Sequence, residues 1–104
     1  MSNKATGDAT RNNWVGPIFR TGELASAAID ALEQDNPGRK FRIDDRSAYV
    51  RAETDNECVI RRQTMESLLG RPFLMQELET VLGSFSGQIE MTQEYVRFYF
   101  DKTL

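Results

Sequence analysis

The chain has 104 residues, 39% of them hydrophobic and 28% charged, enough for one domain around one modest core and too few for two large ones. A formal net charge of −3 runs against a protein that gains affinity by neutralising nucleic-acid phosphates, and no apolar run approaches the roughly 20 residues that cross a bilayer. Histidine is absent and cysteine occurs once, as Cys58, which removes histidine-based triads, Glu-x-x-His diiron ligation, Cys-rich zinc sites, iron–sulfur ligation and an internal disulfide.

Residues 1–11, MSNKATGDATR, are small, polar and aperiodic, and are expected to form a flexible polar tail ahead of a folded unit over 12–104. They also lack the apolar centre of a signal peptide, so the chain reads as cytoplasmic. A short strand is predicted from Trp14 to Phe19, with Val15 and Ile18 inward. Pro17, which cannot donate to a ladder, confines that strand to a sheet edge or to irregular pairing. Thr21 is the expected N-cap of a helix over about 22–34, with Glu23, Ser26, Asp30 and Glu33 on its polar face and Leu24, Ala27, Ala28, Ala31 and Leu32 toward the core. The segment DNPGRK stops it, since Pro37 pushes Asn36 out of the α region and Gly38 supplies a turn.

The middle reads as strands. Phe41 and Ile43 alternate with charged residues, and Ala48, Val50 and Ala52 alternate with Tyr49, Arg51 and Glu53. Turn chemistry at Thr54–Asn56 predicts an antiparallel hairpin with the strand 57–62. Thr64 is read as the cap of a short helix ending at Gly70, and Pro72 as a break. A third helix over about 75–82, closed by Gly83, is expected to turn Leu78, Val81 and Leu82 inward. The last segment predicts a strand pair joined around Gln93 and Glu94, with Val96, Phe98 and Phe100 on one face and Tyr95, Arg97 and Tyr99 on the other. The sum is a compact α+β domain of mostly antiparallel strands and hairpins with about three helices.

Five local patterns invite a chemical reading, and each has a plainer one. YVRFYF could stack bases, but it lacks the Lys/Arg-Gly-Phe pattern of RNA-recognition strands, and core packing accounts for Val96, Phe98 and Phe100. Asp44-Asp45-Arg46 reads as a turn with local hydrogen bonds rather than an acid–base pair. Cys58, with no histidine or metal partner, reads as a small buried residue. Glu77 and Glu79, two residues apart, lie on different sides of a helix and suit its dipole better than a metal. GRPF, residues 70–73, is neither a phosphate loop nor a nucleophile elbow, but a rigid turn there can present Arg71 and Phe73 to a partner.

Taken in order, NNWVGPIFRTGEL, NPGRKFRIDDRSAYVR, LLGRPFLMQELE, SFSGQI and VRFYFDK run from about residue 12 to the C-terminus. In this ordered set the chain resembles the effector proteins, also called coupling or regulatory proteins, of soluble bacterial multicomponent diiron monooxygenases. It looks most similar to the toluene monooxygenase effector branch, with phenol hydroxylase coupling proteins and the methane monooxygenase regulatory component further off. It departs at Leu74, where a polar helix cap is expected. The resemblance implies a noncatalytic protein without catalytic, cofactor-binding or metal-ligating residues. It further implies a partner, the diiron hydroxylase of an aromatic-oxidising system fed by a reductase and a Rieske ferredoxin, whose active-site structure, turnover, coupling and regioselectivity the effector modulates.

On that reading, differential affinity for one hydroxylase conformation shifts its population. Asn13, Gly16, Pro17 and Arg20 are the expected docking residues of the first strand, joined by Arg46, Arg71, Phe73 and Gln76. The free chain is expected to be a monomer. The competing readings are a small nucleic-acid-binding α+β module resting on YVRFYF and a carboxylate- or tyrosine-dependent isomerase.

Overall fold

In the computed structural model, which describes residues 13–101, the chain opens with β1, Trp14–Arg20, and continues into α1, Glu23–Asp35. The expected tail over 1–11 lies outside the described residues. Next come β2 (Arg42–Asp45), β3 (Tyr49–Asp55), β4 (Glu57–Arg61), α2 (Arg62–Leu69), α3 (Gln76–Glu79), β5 (Leu82–Ser86), β6 (Gln88–Met91) and β7 (Tyr95–Tyr99). The strands form two antiparallel sheets, ordered β2-β3-β1-β5 and β4-β7-β6. One core joins them: Val15 and Phe19 of β1, Val50 and Ala52 of β3, Cys58 and Ile60 of β4, and Val96 and Phe98 of β7, closed by side chains from all three helices. Phe85 of the first sheet meets Phe98 of the second at 5.9 Å between ring centroids.

Of the two arrangements Pro17 leaves open, a sheet edge or irregular pairing, β1 takes the second. It is an interior strand, and its pairing accommodates Pro17: the register with β3 skips Gly16 and Pro17, while that with β5 shifts between Ile18 and Phe19. Phe19 rather than Ile18 packs inward with Val15, because residues three apart on a strand lie on opposite faces. Gly16 has φ +144°, and a Cβ there would lie 2.0 Å from the carbonyl oxygen of Ala52. Only glycine lets β3 come this close.

Helix α1 matches its predicted faces, with Glu23, Ser26, Asp30 and Glu33 exposed and Ala25, Ala27, Ala28, Ala31 and Leu32 buried. Its N-cap is Gly22, not Thr21, whose hydroxyl donates to the Ser47 carbonyl at 2.8 Å. At its other end the buried Asn36 amide donates to the carbonyls of Leu32 (2.7 Å) and Val59 (2.8 Å), and its Oδ1 accepts the Val59 N–H at 2.9 Å. Asp35 accepts the Arg61 N–H and the Thr64 hydroxyl, at 2.8 and 2.6 Å. β4 pairs with β7 alone, so these two side chains supply at its free edge what a neighbouring strand would.

Three other expectations are corrected. β3 and β4 do not form a hairpin: Asn56, at φ +71°, bends the chain from one sheet into the other, and β3 pairs with β2 and β1. Alternation marks two strands without saying that they share a sheet. Helix α2 begins at Arg62, two residues before the predicted Thr64 cap, and ends as expected at a left-handed Gly70 whose N–H donates to the Glu66 carbonyl at 2.8 Å. The third helix is a single turn, after which Leu82 and Gly83 enter β5 rather than closing a helix. The β6–β7 hairpin is as predicted, its turn held by N–H donation from Glu94 and Tyr95 to the Thr92 hydroxyl, at 3.1 Å each.

Asn36→Ala removes both partners of the half-buried Val59 backbone, and at about 1–3 kcal/mol for each group left unsatisfied, with water able to reach the edge, urea unfolding should show a loss in the lower half of the summed range, about 2–4 kcal/mol. Gly16→Ala should cost as much or more, through the clash with β3.

Candidate partner interface

The β2–β3 hairpin is built by the pair of carboxylates that opens its turn. The Ser47 N–H donates to Asp45 Oδ1 at 3.0 Å with Ser47 at φ +67°, and the Arg46 N–H donates to the Tyr49 carbonyl at 2.7 Å. Arg46 Nε donates to Asp44 Oδ1 at 2.9 Å, a bond that holds the Asp44 carboxyl below its ordinary range and the Arg46 guanidinium above its own. Asp44 and Asp45 therefore serve the turn, as their sequence context predicts.

Alternation along β3 sends Val50 and Ala52 into the core and Tyr49, Arg51 and Glu53 to the other face of the sheet. Across the ladders Arg42 stands opposite Glu53, Asp44 and Ile18 opposite Arg51, and Arg20 opposite Tyr49. This face is open to solvent. Tyr49 is 50% exposed, and a shallow concavity of about 380 Å³ is lined by Ile18, Asp44, Arg46, Tyr49 and Arg51. Beneath the arginines sits Glu53, only 4% exposed, which accepts from Arg42 (3.1 Å), Arg51 (3.4 Å) and the Ser86 hydroxyl (3.0 Å). The Arg42 guanidinium also lies over the Trp14 ring, 4.6 Å from its centroid. A buried carboxylate thus braces a surface of Tyr, Trp and Arg, the types enriched at the centres of protein interfaces.

The predicted interface residues separate in space. Arg46 lies on the open sheet face. Arg20 is exposed on β1, but its guanidinium donates to the Thr80 carbonyl and its N–H to the Val81 carbonyl. Asn13 is half-buried, its carbonyl accepting the Asn56 N–H at 3.0 Å. Gly16 and Pro17 are buried, which corrects their placement on a docking surface: they let β1 and β3 approach. Phe73 is corrected likewise. Its ring is buried and its N–H donates to Glu66 at 2.9 Å. Arg71 and Gln76 are exposed beside it. Tyr49, Arg42 and Arg51, all exposed, are not among the expected docking residues, although the alternation of AYVRAE sets Tyr49 and Arg51 on one outward face.

The other open sheet face offers less. Arg97 on β7 donates to Glu57 (2.6 Å) and Glu90 (2.9 Å) and lies 4.0 Å over the Tyr99 ring. Its charge is neutralised, and it covers the aromatic face a base would need, which disfavours the nucleic-acid reading. Among the described residues no group of three or more Asp, Glu or Cys is placed to hold a metal, and no helix is long and apolar enough to cross a membrane. Cys58 is fully buried, and burial pushes its thiol up to about 12.

The sequence profile of the MmoB/DmpM family matches residues 13–99. The chain is 41% identical over 100 residues to the effector subunit of an alkene monooxygenase system of Xanthobacter autotrophicus (strain Py2), covering 96% of this chain and 98% of that protein. Its fold is similar to a chain in a structure of a phenol hydroxylase–regulatory protein complex, with a TM-score of 0.72, 24% identity and coverage of 85% of this chain and 99% of that one. It is also similar to the regulatory protein B of soluble methane monooxygenase, with a TM-score of 0.64, 14% identity and coverage of 86% and 67%.

Since the thiolate is the reactive form, Cys58 should resist iodoacetamide at pH 8 in the folded protein and react within minutes in denaturant, as mass spectrometry would show. The bond holding Asp44 down, like the Leu74 N–H and Arg71 bonds that hold Glu77 down, favours the charged carboxylate. The stability these two groups contribute is present above the ordinary carboxylate range and lost as pH falls through their lowered values. Thermal melting should show Asp44→Asn and Glu77→Gln closer to the unmodified chain at about pH 3 than at pH 7.

Proposed function

The chain belongs to the MmoB/DmpM family, and from that membership we propose that it docks on the diiron hydroxylase of a multicomponent monooxygenase and shifts it toward a conformation competent for oxygen activation. Its relatives are effector or regulatory subunits rather than catalytic components. The observation that carries the docking reading is the open face of the first sheet, where Tyr49, Arg46 and Arg51 line one concavity, Arg51 held by the buried Glu53 and Arg46 by Asp44. Such a surface is preorganised, so little side-chain freedom remains to be lost on contact. The effector contributes no reacting atom. It acts by binding one hydroxylase state more tightly, and a differential affinity of about 5.5 kcal/mol would carry a 1:99 population to 99:1.

In this scheme electrons reach the hydroxylase from a reductase through a Rieske ferredoxin, and the effector, monomeric when free, adjusts turnover, coupling and regioselectivity. Two substrate classes follow from different observations. The ordered motifs favour an aromatic, toluene-type system, whereas the 41% identity with an alkene monooxygenase effector favours a short alkene.

Reconstitution decides between them. Hydroxylase, reductase and ferredoxin are supplied with toluene or propene, and product and reductant consumption are followed with and without this chain. Product per reductant should rise severalfold on its addition, with one substrate only. An unchanged ratio for both would defeat the proposal. Tyr49→Ala and Arg46→Glu should each weaken hydroxylase binding about tenfold or more by calorimetry, as expected of central interface anchors, with melting temperatures close to that of the unmodified chain.

A further inference from the structure

A groove of about 940 Å³ runs between the α2–α3 connection and the β6–β7 turn. Its apolar lining is formed by Pro72, Leu74 and Met91, above the buried Phe73 and Met75. Leu74 is 62% exposed, more than any other large hydrophobic side chain among the described residues. It is held there. On one side Phe73 is anchored in the core with its N–H on Glu66. On the other, the N–H of Leu74 itself donates to Glu77 Oε2 at 3.0 Å, and the Glu77 N–H donates to the Leu74 carbonyl at 2.9 Å. A leucine fixed in water at the mouth of a groove gains by being covered.

The charge around it selects the cover. Glu66, Glu77, Glu79 and Glu94 line the groove. Arg62 is committed to Glu66 (3.0 Å) and Glu94 (2.8 Å), and Arg71 to Glu77 (3.3 Å). Four carboxylates against two guanidiniums leave two negative charges, and Glu79 has no ion pair among the described residues. A second copy would bring the same acidic rim, on a chain whose net charge is −3, against the first. We infer that this groove receives a segment of the hydroxylase in which an apolar side chain is flanked by lysine or arginine, the apolar group seating on Leu74 and Met91 and the cation beside Glu79. This rests on the docking proposed above and adds a second point of attachment to it. Such linked contacts multiply affinity when one rigid body presents both. Here Arg20 ties β1 of the sheet face to the end of α3 through Thr80 and Val81.

The test measures hydroxylase binding by calorimetry for the unmodified chain, Leu74→Ser, Glu79→Lys and Tyr49→Ala, with thermal melts to verify folding. Leu74→Ser and Glu79→Lys should each raise Kd about tenfold, comparable with loss of an interface anchor. The Glu79→Lys defect should shrink between about 50 and 500 mM NaCl while the Leu74→Ser defect persists, because only the former is screened. Groove variants that bind like the unmodified chain while Tyr49→Ala weakens binding would overturn this inference and leave the sheet-face docking standing. If the unmodified chain fails to bind hydroxylase, both fall. If sedimentation velocity shows a dimer that Leu74→Ser dissociates, the occupant is a second copy and the inference is wrong.

Discussion

The two sheets become one domain because a side chain stands in for a strand. β4 has a partner on one side only, and without Asn36 its half-buried Val59 N–H and carbonyl would lose their hydrogen bonds within the protein. By meeting both, Asn36 fixes the end of α1 to the second sheet, and Asp35 extends the attachment to Arg61 and to the first turn of α2. The alanine-rich face of α1 can then lie against β4 and α2, since small side chains permit close approach. The same fixation sets where the first sheet sits, because Phe19, Val50 and Ala52 complete the cluster that α1 covers.

A fold assembled this way leaves the outer face of the first sheet free for recognition. That face carries strong charges, yet few are unattached: Glu53 serves Arg42 and Arg51, and Asp44 serves Arg46. The exposed pair of Asp44 and Arg46 adds little to stability. Their effect is positional, holding long side chains in one arrangement over a flat sheet. On the second sheet Arg97 is neutralised in a comparable way by Glu57 and Glu90 and lies on Tyr99, so the aromatic strand that drew attention in the sequence is a finished piece of structure rather than a binding platform.

Much of this was legible beforehand because periodicity reports burial. The faces of α1, the inward set Val96 and Phe98, the turn at Asp44–Arg46 and the Gly70 stop each follow from local chemistry. What periodicity could not convey was pairing. The segment after Asp55 looks like the return arm of a hairpin, and only the geometry at Asn56 sends it to another sheet. Pro17 left an edge or irregular pairing open, and the choice between them depends on Gly16 beside it, which lets the Ala52 carbonyl come near. Residues 80–82 read as the end of a helix closed by Gly83, since Val81 and Leu82 continue a helical spacing, although the pairing of Leu82 with Phe19 of β1 makes it the start of a strand. Surface position was legible in part: of the residues expected to dock, Arg46, Arg71 and Gln76 are exposed, whereas Gly16, Pro17 and Phe73 were judged by residue type, and their burial is set by contacts distant in sequence.

The ionic surface described above has a consequence for control in the cell. Its pairs join guanidinium to carboxylate, the lone thiol is driven far up the scale, and no imidazole exists anywhere in the chain. The side chain that ordinarily changes charge near neutrality is therefore missing. The described surface keeps a nearly constant electrostatic pattern across physiological acidity. If the chain docks as proposed, sensitivity of the complex to proton concentration in that range originates in the other components.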